Sequence, residues 1–205
     1  MLKLYHSPMS RSTTIIAAIL EMGIADKVEV KLTSIKRSDG TGGPDRENPH
    51  PDGKVPALDH DGNYVTERPA ILTYLSDLFP NAPAIRAAGH PQRGPFLTWF
   101  AYYGDVVEPV LVCAAAGIDH PFIRAGFRGC DELASRLVAT FSDGREYLLP
   151  DGFSTADLLM AAPFIWLNDY LPKDEGVQAW FERVTSRDSI IKAAEQDALD
   201  VSKVA

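Results

Sequence analysis

The stretch NPHPDGKVPALDHDGNYVTERPAILTYL, Asn48 to Leu75, constrains this chain more than any other. Val55-Pro56 opens a short strand, a position where proline is tolerated because a strand start or edge needs no N–H donor. Ala57 and Leu58 follow. The turn-rich run Asp59-His60-Asp61-Gly62-Asn63 then separates them from Tyr64-Val65, and Asp-Gly between two apolar runs predicts a hairpin. Pro69 suits the first turn of a helix, where its missing N–H costs nothing, and Ile71, Leu72, Leu75 and Leu78 place an apolar face along that helix. A hairpin feeding a helix N-terminus gathers unpaired backbone N–H groups at one spot, a place that favours an anion.

On either side of this stretch the periodicity changes character. Leu2 to His6 reads as a strand, and Ser7-Pro8-Met9 as a turn. From Ser10 the apolar residues Ile15, Ile16, Ile19, Leu20 and Met22 recur at helical spacing until Gly23 stops them. Asp26 to Leu32 alternates Val28, Val30 and Leu32 with charge and reads as a second strand. Strand, helix and strand in this order make a parallel unit with a right-handed crossover. Thr33 to Asp52 is a polar, Gly- and Pro-rich excursion that holds at most a short helix. Residues 81–92 form a linker, and beyond it no strand signal recurs. Helices are predicted over Phe96–Ala116 (kinked near Gly104 or Pro109), Arg124–Phe141, Leu158–Leu171, Val177–Val184 and Ser189–Leu199, with Ser154-Thr155-Ala156-Asp157 as a capping signal. An α/β domain over 1–80, a linker over 81–92 and an all-α domain over 93–205 follow.

The order βαβ then ββα resembles a thioredoxin-like domain. Asn48-Pro49, Gly53-Lys54-Val55-Pro56-Ala57-Leu58 and Thr66-Glu67 leading into Ala70-Ile71 and Tyr74-Leu75 resemble the glutathione-binding domain of cytosolic glutathione transferases, of the bacterial, serine-type kind. The all-helical second half fits the same layout, and Ser154-x-x-Asp157 lies where that family caps a helix. The resemblance implies glutathione as co-substrate, a homodimer, a cytoplasmic location, a role in detoxification, and transfer of the glutathione thiolate to a small apolar electrophile in the helical domain. It also leaves open an isomerase or dehalogenase on this scaffold, and a non-catalytic interaction module.

The reactive corner of such a domain is the turn after the first strand, here Ser7-Pro8-Met9-Ser10-Arg11-Ser12. Disulfide exchange needs a thiolate, and this turn carries hydroxyls; Cys113 and Cys130 lie far along the chain and read as structural thiols. A hydroxyl at a helix N-terminus can instead stabilise a bound thiolate. The helix end offers about 0.3–1 kcal/mol, up to about 2 when buried, and a hydrogen bond to a charge about 1.5–3 kcal/mol. At about 1.4 kcal/mol per pKa unit, a thiol near about 8.5 falls to roughly 5.5–7. The resemblance makes Ser10 the first choice, Ser12 the second and Tyr5 the third; both serines read equally well as helix caps.

The resemblance further implies a cis Val55–Pro56 bond, with the Val55 backbone pairing with the cysteinyl part of glutathione. It sets Lys54 near the glycyl carboxylate and Glu67 near the γ-glutamyl ammonium. Arg68 stands where the family has a serine, a departure that removes one hydroxyl and adds a guanidinium. Tyr103 and Asp105 are weak candidates for the second-substrate pocket. His50 reads as a turn residue.

Composition excludes more than it identifies. Twenty basic against 28 acidic residues give a net charge of −8, which disfavours nucleic-acid and anionic-membrane partners. No apolar run approaches membrane-spanning length, the N-terminus does not read as a signal peptide, and no metal-ligand spacing occurs.

Overall fold

The computed structural model describes residues 1–204. In chain order the elements are β1 (Leu2–His6), α1 (Thr13–Glu21), a 3₁₀ turn (Ala25–Lys27), β2 (Val28–Leu32), β3 (Ala57–His60), β4 (Asn63–Thr66), α2 (Arg68–Leu78), α3 (Arg93–Tyr102), a π-helical turn (Tyr103–Val107), α4 (Glu108–Ala115), α5 (Pro121–Gly126), α6 (Cys130–Phe141), α7 (Thr155–Trp166), a 3₁₀ turn (Asn168–Tyr170), α8 (Glu175–Thr185), α9 (Asp188–Asp200) and a closing 3₁₀ turn (Val201–Lys203). They make two compact units. One is Met1–Ile85 together with the chain from Arg187 onward; the other is Arg86–Ser186.

In the first unit the sheet runs β2-β1-β3-β4, with β1 and β2 parallel and the other pairs antiparallel. The Asp-Gly signal resolves into a two-residue turn: Asp61 and Gly62 have φ of 52° and 86°, and His60 pairs with Asn63. Positive φ at both positions is what a type I′ hairpin demands. The strand therefore continues two residues past Leu58 before turning. Leu4, Ile15, Ala18, Leu58, Ile71, Leu72 and Leu75, all fully buried, fill the space between the sheet and the helices.

α9 packs within the first unit. Predicted in the helical domain, it lies antiparallel along α1. The Arg187 guanidinium grips the Glu21 carboxylate through two bonds of 2.7 and 2.8 Å, and the Ser189 hydroxyl adds a third of 2.5 Å. Eight residues on, Asp197 meets Thr13, eight residues back from Glu21. Both intervals measure about 12 Å at 1.5 Å per residue, so the helices fit end to end. Sequence periodicity identifies a helix and its apolar face, but not which distant helix that face will cover.

In the second unit, Phe96, Phe100, Leu137, Leu159, Phe164, Val177 and Trp180 make the core, with Phe141 stacked on Trp180 at 5.3 Å. The long helix predicted over 96–116 is interrupted by the π turn. Pro109 has no N–H to give residue 105 and its ring crowds that carbonyl, so the ladder loosens just upstream, and the Glu108 N–H bonds Tyr103 O instead. The predicted 124–141 helix divides into α5 and α6 around Phe127–Gly129, where the Glu132 carboxylate caps the Gly129 N–H at 2.9 Å. The capping signal at Ser154–Asp157 is present: Asp157 accepts the Ser154 N–H at 2.9 Å. Cys113 and Cys130 are free and half-buried, and burial pushes the Cys130 thiol up.

Candidate active site

Sheet register decides which loops meet. Tyr5 pairs with Ala57, and Ala57 with Thr66. The end of β1, the start of β3 and the end of β4 therefore share one end of the sheet, spanning about 10 Å at about 4.8 Å per strand. The turn Ser7–Ser12, the Val55–Pro56 pair and Glu67-Arg68 all emerge there. The Val55–Pro56 peptide is cis. Val55 and Pro56 are buried and Lys54 is exposed, its carbonyl accepting from the Asn48 side chain at 3.0 Å. His50 is a turn residue: its N–H bonds Asn48 Oδ1 and its Nδ1 accepts the Asp52 N–H.

Glu67 precedes α2 with φ 66° and ψ 123°, is exposed, and is one of the non-glycine residues in the left-handed half of conformational space. Such a backbone costs on the order of 1–3 kcal/mol. Arg68 does not point to solvent. It is buried, and its Nη1 donates to the Thr14 hydroxyl of α1 at 3.3 Å, joining the first turns of two helices.

The two serines have different surroundings. Ser12 is the residue before α1, yet its hydroxyl caps nothing in the helix; it turns back toward the strand end and is wholly buried. There it lies 2.7 Å from His6 Nδ1, 3.2 Å from the Ser7 N–H and 3.2 Å from the Ser7 carbonyl. Ser10 is half-buried. Its oxygen accepts the Ser12 N–H at 3.2 Å and stands 2.8 Å from Ser12 Oγ. Ser10 therefore combines a helix-terminal position with access from outside, and Ser12 supports it from beneath. Tyr5 is buried, with Lys31 over its ring at 5.6 Å.

Behind Ser12 the chain of contacts continues. His6 Nε2 lies 2.9 Å from Asp197 Oδ1, and Asp197 Oδ2 accepts the Met9 N–H and the Thr13 hydroxyl, each at 2.6 Å. Burial pushes the Asp197 carboxyl up, but bonds from His6, Thr13 and Met9 outweigh it and hold the group below the usual carboxylate range. His6 and Asp197 are both almost fully buried. Neither stood out in the sequence: a histidine closing a strand and an aspartate late in a C-terminal helix, 191 positions apart, carry no local pattern. Arg37, from the polar excursion, clamps the same turn by donating to Pro8 O at 2.8 Å, and to Ser7 Oγ and Met9 O at 3.3 Å.

In the second unit Tyr103 is buried and donates its hydroxyl to Glu108, whereas Asp105 is exposed on the π turn. Tyr102 is buried, and Arg136 covers its ring at 3.8 Å. No cluster of His, Cys, Asp and Glu suited to a metal ion occurs among the described residues, and no helix among them is long and apolar enough to cross a membrane.

The family model of the glutathione S-transferase N-terminal domain matches residues 1–77, which carry all four strands and the serine turn. A glutathione transferase from Methylococcus capsulatus superposes with a TM-score of 0.71 at 25% identity, over 97% of this chain and 100% of its own. Residues 1–77 thus carry a glutathione S-transferase N-terminal domain, and the chain as a whole is similar to glutathione transferases. Its thioredoxin-like first unit and helical second unit are the glutathione transferase fold. A sphingomonad glutathione S-transferase, solved in complex with glutathione, matches with a TM-score of 0.73 at 24% identity over 96% of this chain and 99% of its own. Protein LigF from Sphingobium sp. strain SYK-6 is 25% identical over 189 residues, covering 69% of this chain and 73% of LigF.

Proposed function

We propose that this protein is a glutathione transferase that binds glutathione at the shared sheet end and uses its thiolate against small apolar electrophiles. The observation that carries the reading is Ser10: a half-exposed hydroxyl at the N-terminus of α1, level with the cis Val55–Pro56 pair and with Glu67. In this reading the Val55 backbone pairs with the cysteinyl unit and Lys54 meets the glycyl carboxylate. Glu67 accepts from the γ-glutamyl ammonium, its strained backbone turning the first N–H groups of α2 outward. Arg68 places positive charge beside the γ-glutamyl carboxylate, where a charge-assisted bond worth about 1.5–3 kcal/mol offsets the missing serine hydroxyl. Ser10 donates to the thiolate, and catalysis is mostly pKa lowering and positioning. Tyr103 and Asp105 remain weak candidates for contacts with the second substrate. A cytoplasmic homodimer engaged in detoxification accords with this chemistry.

A second reading has the same thiolate displace a leaving group instead of adding to an acceptor. The similarity to LigF supports it, since a solved structure of that protein bears the name beta-etherase.

Retention on immobilised glutathione with elution by free glutathione tests the binding. A panel of aryl halides, epoxides and aryl ethers separates transfer from ether cleavage. Ser10→Ala raises the pKa of the bound thiol by at least about one unit, read from thiolate absorbance against pH. An unchanged titration would transfer the role to Ser12 or Tyr5, and a protein that neither binds glutathione nor transfers it would refute the proposal.

A further inference from the structure

The Ser12 hydroxyl has more neighbours than it can serve in one arrangement. It owns one proton and two lone pairs, and around it stand the Ser7 N–H, which only donates, the Ser7 carbonyl, which only accepts and lies farther off at 3.2 Å, and His6 Nδ1 and Ser10 Oγ, which can do either and lie at 2.7 and 2.8 Å. Asp197, held ionised, only accepts, so His6 Nε2 must carry a proton toward it.

Two arrangements then serve the short contacts to His6 and Ser10, in preference to the longer one to the Ser7 carbonyl. In the first, His6 is neutral: Ser10 donates to Ser12, Ser12 donates to His6 Nδ1, and Ser10 keeps one lone pair facing outward. In the second, His6 is an imidazolium: His6 Nδ1–H donates to Ser12, Ser12 donates to Ser10, and the Ser10 proton faces outward. The second holds one proton more than the first, gained at the Ser10 end and carried as charge at His6. Each link is short, at 2.8 and 2.7 Å, and the line ends in a carboxylate at 2.9 Å. A serine that only capped α1 would need none of this.

We propose that His6 receives the proton of the bound thiol through Ser10 and Ser12, with Asp197 holding the imidazolium that results; this rests on the glutathione reading above. The thiol S–H bond breaks as a Ser10 O–H bond forms. The former Ser10 proton passes to Ser12, and the former Ser12 proton to His6 Nδ1. A neutral thiol and a neutral imidazole become a thiolate and an imidazolium, and no proton leaves the protein. Ser10 ends as donor to the thiolate it has just created. His6 and Asp197 are positioning residues here, since neither touches the ligand.

The charged groups around the line fit this direction. On α9, Asp197 faces His6 directly; Asp200, which also feels the His6 charge, is held by Lys203 at 2.6 Å and Gln196 at 2.7 Å. Arg37 clamps the turn from the polar excursion, and Arg11 lies within the turn on its exposed side. Lys31, on β2, is turned to Tyr5 and paired with Glu47 at 2.5 Å.

The test counts protons on the unmodified protein. Calorimetric titration with glutathione at neutral pH, in two buffers of different ionisation heat, gives the protons released; ultraviolet absorbance of the same mixture gives the thiolate formed. The relay requires thiolate to appear with far less than one proton released per thiolate. His6→Asn should release close to one and raise the bound thiol's pKa by about one unit or more, with binding retained. Release of a full proton by the wild type, or a thiol titration unmoved by His6→Asn, overturns the relay and leaves the glutathione reading standing. Bound glutathione without thiolate also overturns it, and no binding at all overturns both.

Discussion

Replacing Asp157 probes the helical unit where its burial is most complete. The carboxylate accepts the Leu148 N–H at 2.8 Å, the Ser154 N–H at 2.9 Å and Trp180 Nε1 at 3.0 Å, all out of water. Asp157→Ala orphans these three buried N–H donors and the Ser154 hydroxyl, which donates at 3.2 Å, at about 1–3 kcal/mol each. Relief from burying an acid returns part of that, leaving a net loss of about 3–5 kcal/mol, at the upper end for single substitutions. With a urea slope of about 2–3 kcal/mol per molar, the unfolding midpoint falls by about 1–2.5 M. Asp157→Asn keeps one acceptor oxygen and should lose only about 1–3 kcal/mol.

The two variants also test the sign of the electrostatics. Burial pushes the Asp157 carboxyl up, ahead of the opposing hydrogen bonds. A group raised in the folded state contributes its full stability below its unfolded pKa, about 4, and loses it as pH rises through the folded value. Asparagine does not titrate, so the deficit of Asp157→Asn should be largest near about pH 4 and shrink toward neutrality. Urea midpoints across that range read it directly. A deficit that grows with pH would show that the hydrogen bonds outweigh burial, and an Asp157→Ala protein within about 1 kcal/mol of wild type would refute the donor count itself.

Asp197 should behave oppositely: held low in the folded state, it contributes fully above about pH 4 and loses that contribution as pH falls through its folded value. Asp197→Asn should therefore flatten the acid limb of the stability profile, and an unchanged limb would contradict the assignment. Glu67→Gly should relieve the backbone at φ 66° and raise the melting temperature by the equivalent of up to about 1–3 kcal/mol, while weakening retention on immobilised glutathione. Arg68→Ser exchanges a charged contact for a neutral one and should weaken glutathione binding by about 1–1.5 kcal/mol, roughly five- to tenfold by calorimetry. Tighter binding would show that the guanidinium obstructs the site.

How far the sequence is legible depends on the range of the forces involved. The hairpin and α2 follow from residues within 28 positions of one another, where turn chemistry and apolar spacing act locally, whereas the cis Val55–Pro56 bond was implied only by the family resemblance. The break at Pro109 was equally local, and only its form, a π turn, came from packing. α9 was visible as a helix, but its partner was not, because its anchor is the Glu21–Arg187 pair across 166 positions. The same long step hid His6 and Asp197. Ser10 and Ser12 were legible as candidates, but their ranking needed burial, which spacing does not give.

That ranking yields a last prediction, a cycle of Ser10→Ala, Ser12→Ala and the double substitution, read as the pKa of bound glutathione. If Ser10 touches the thiol and Ser12 acts only through Ser10, removing Ser10 removes the Ser12 contribution too. The double substitution should then match Ser10→Ala alone, and the single effects should overshoot the double by the whole Ser12 effect. Residues sharing one hydrogen-bond line typically couple by about 0.5–3 kcal/mol, or roughly 0.4–2 pKa units. Two hydroxyls contacting the sulfur independently would instead give shifts that add. The geometry favours the first result, because Ser12 is fully enclosed and its hydroxyl reaches toward the ligand side through the 2.8 Å contact with the half-exposed Ser10 hydroxyl. Additive shifts would place Ser12 within reach of the ligand, which would require the corner to open.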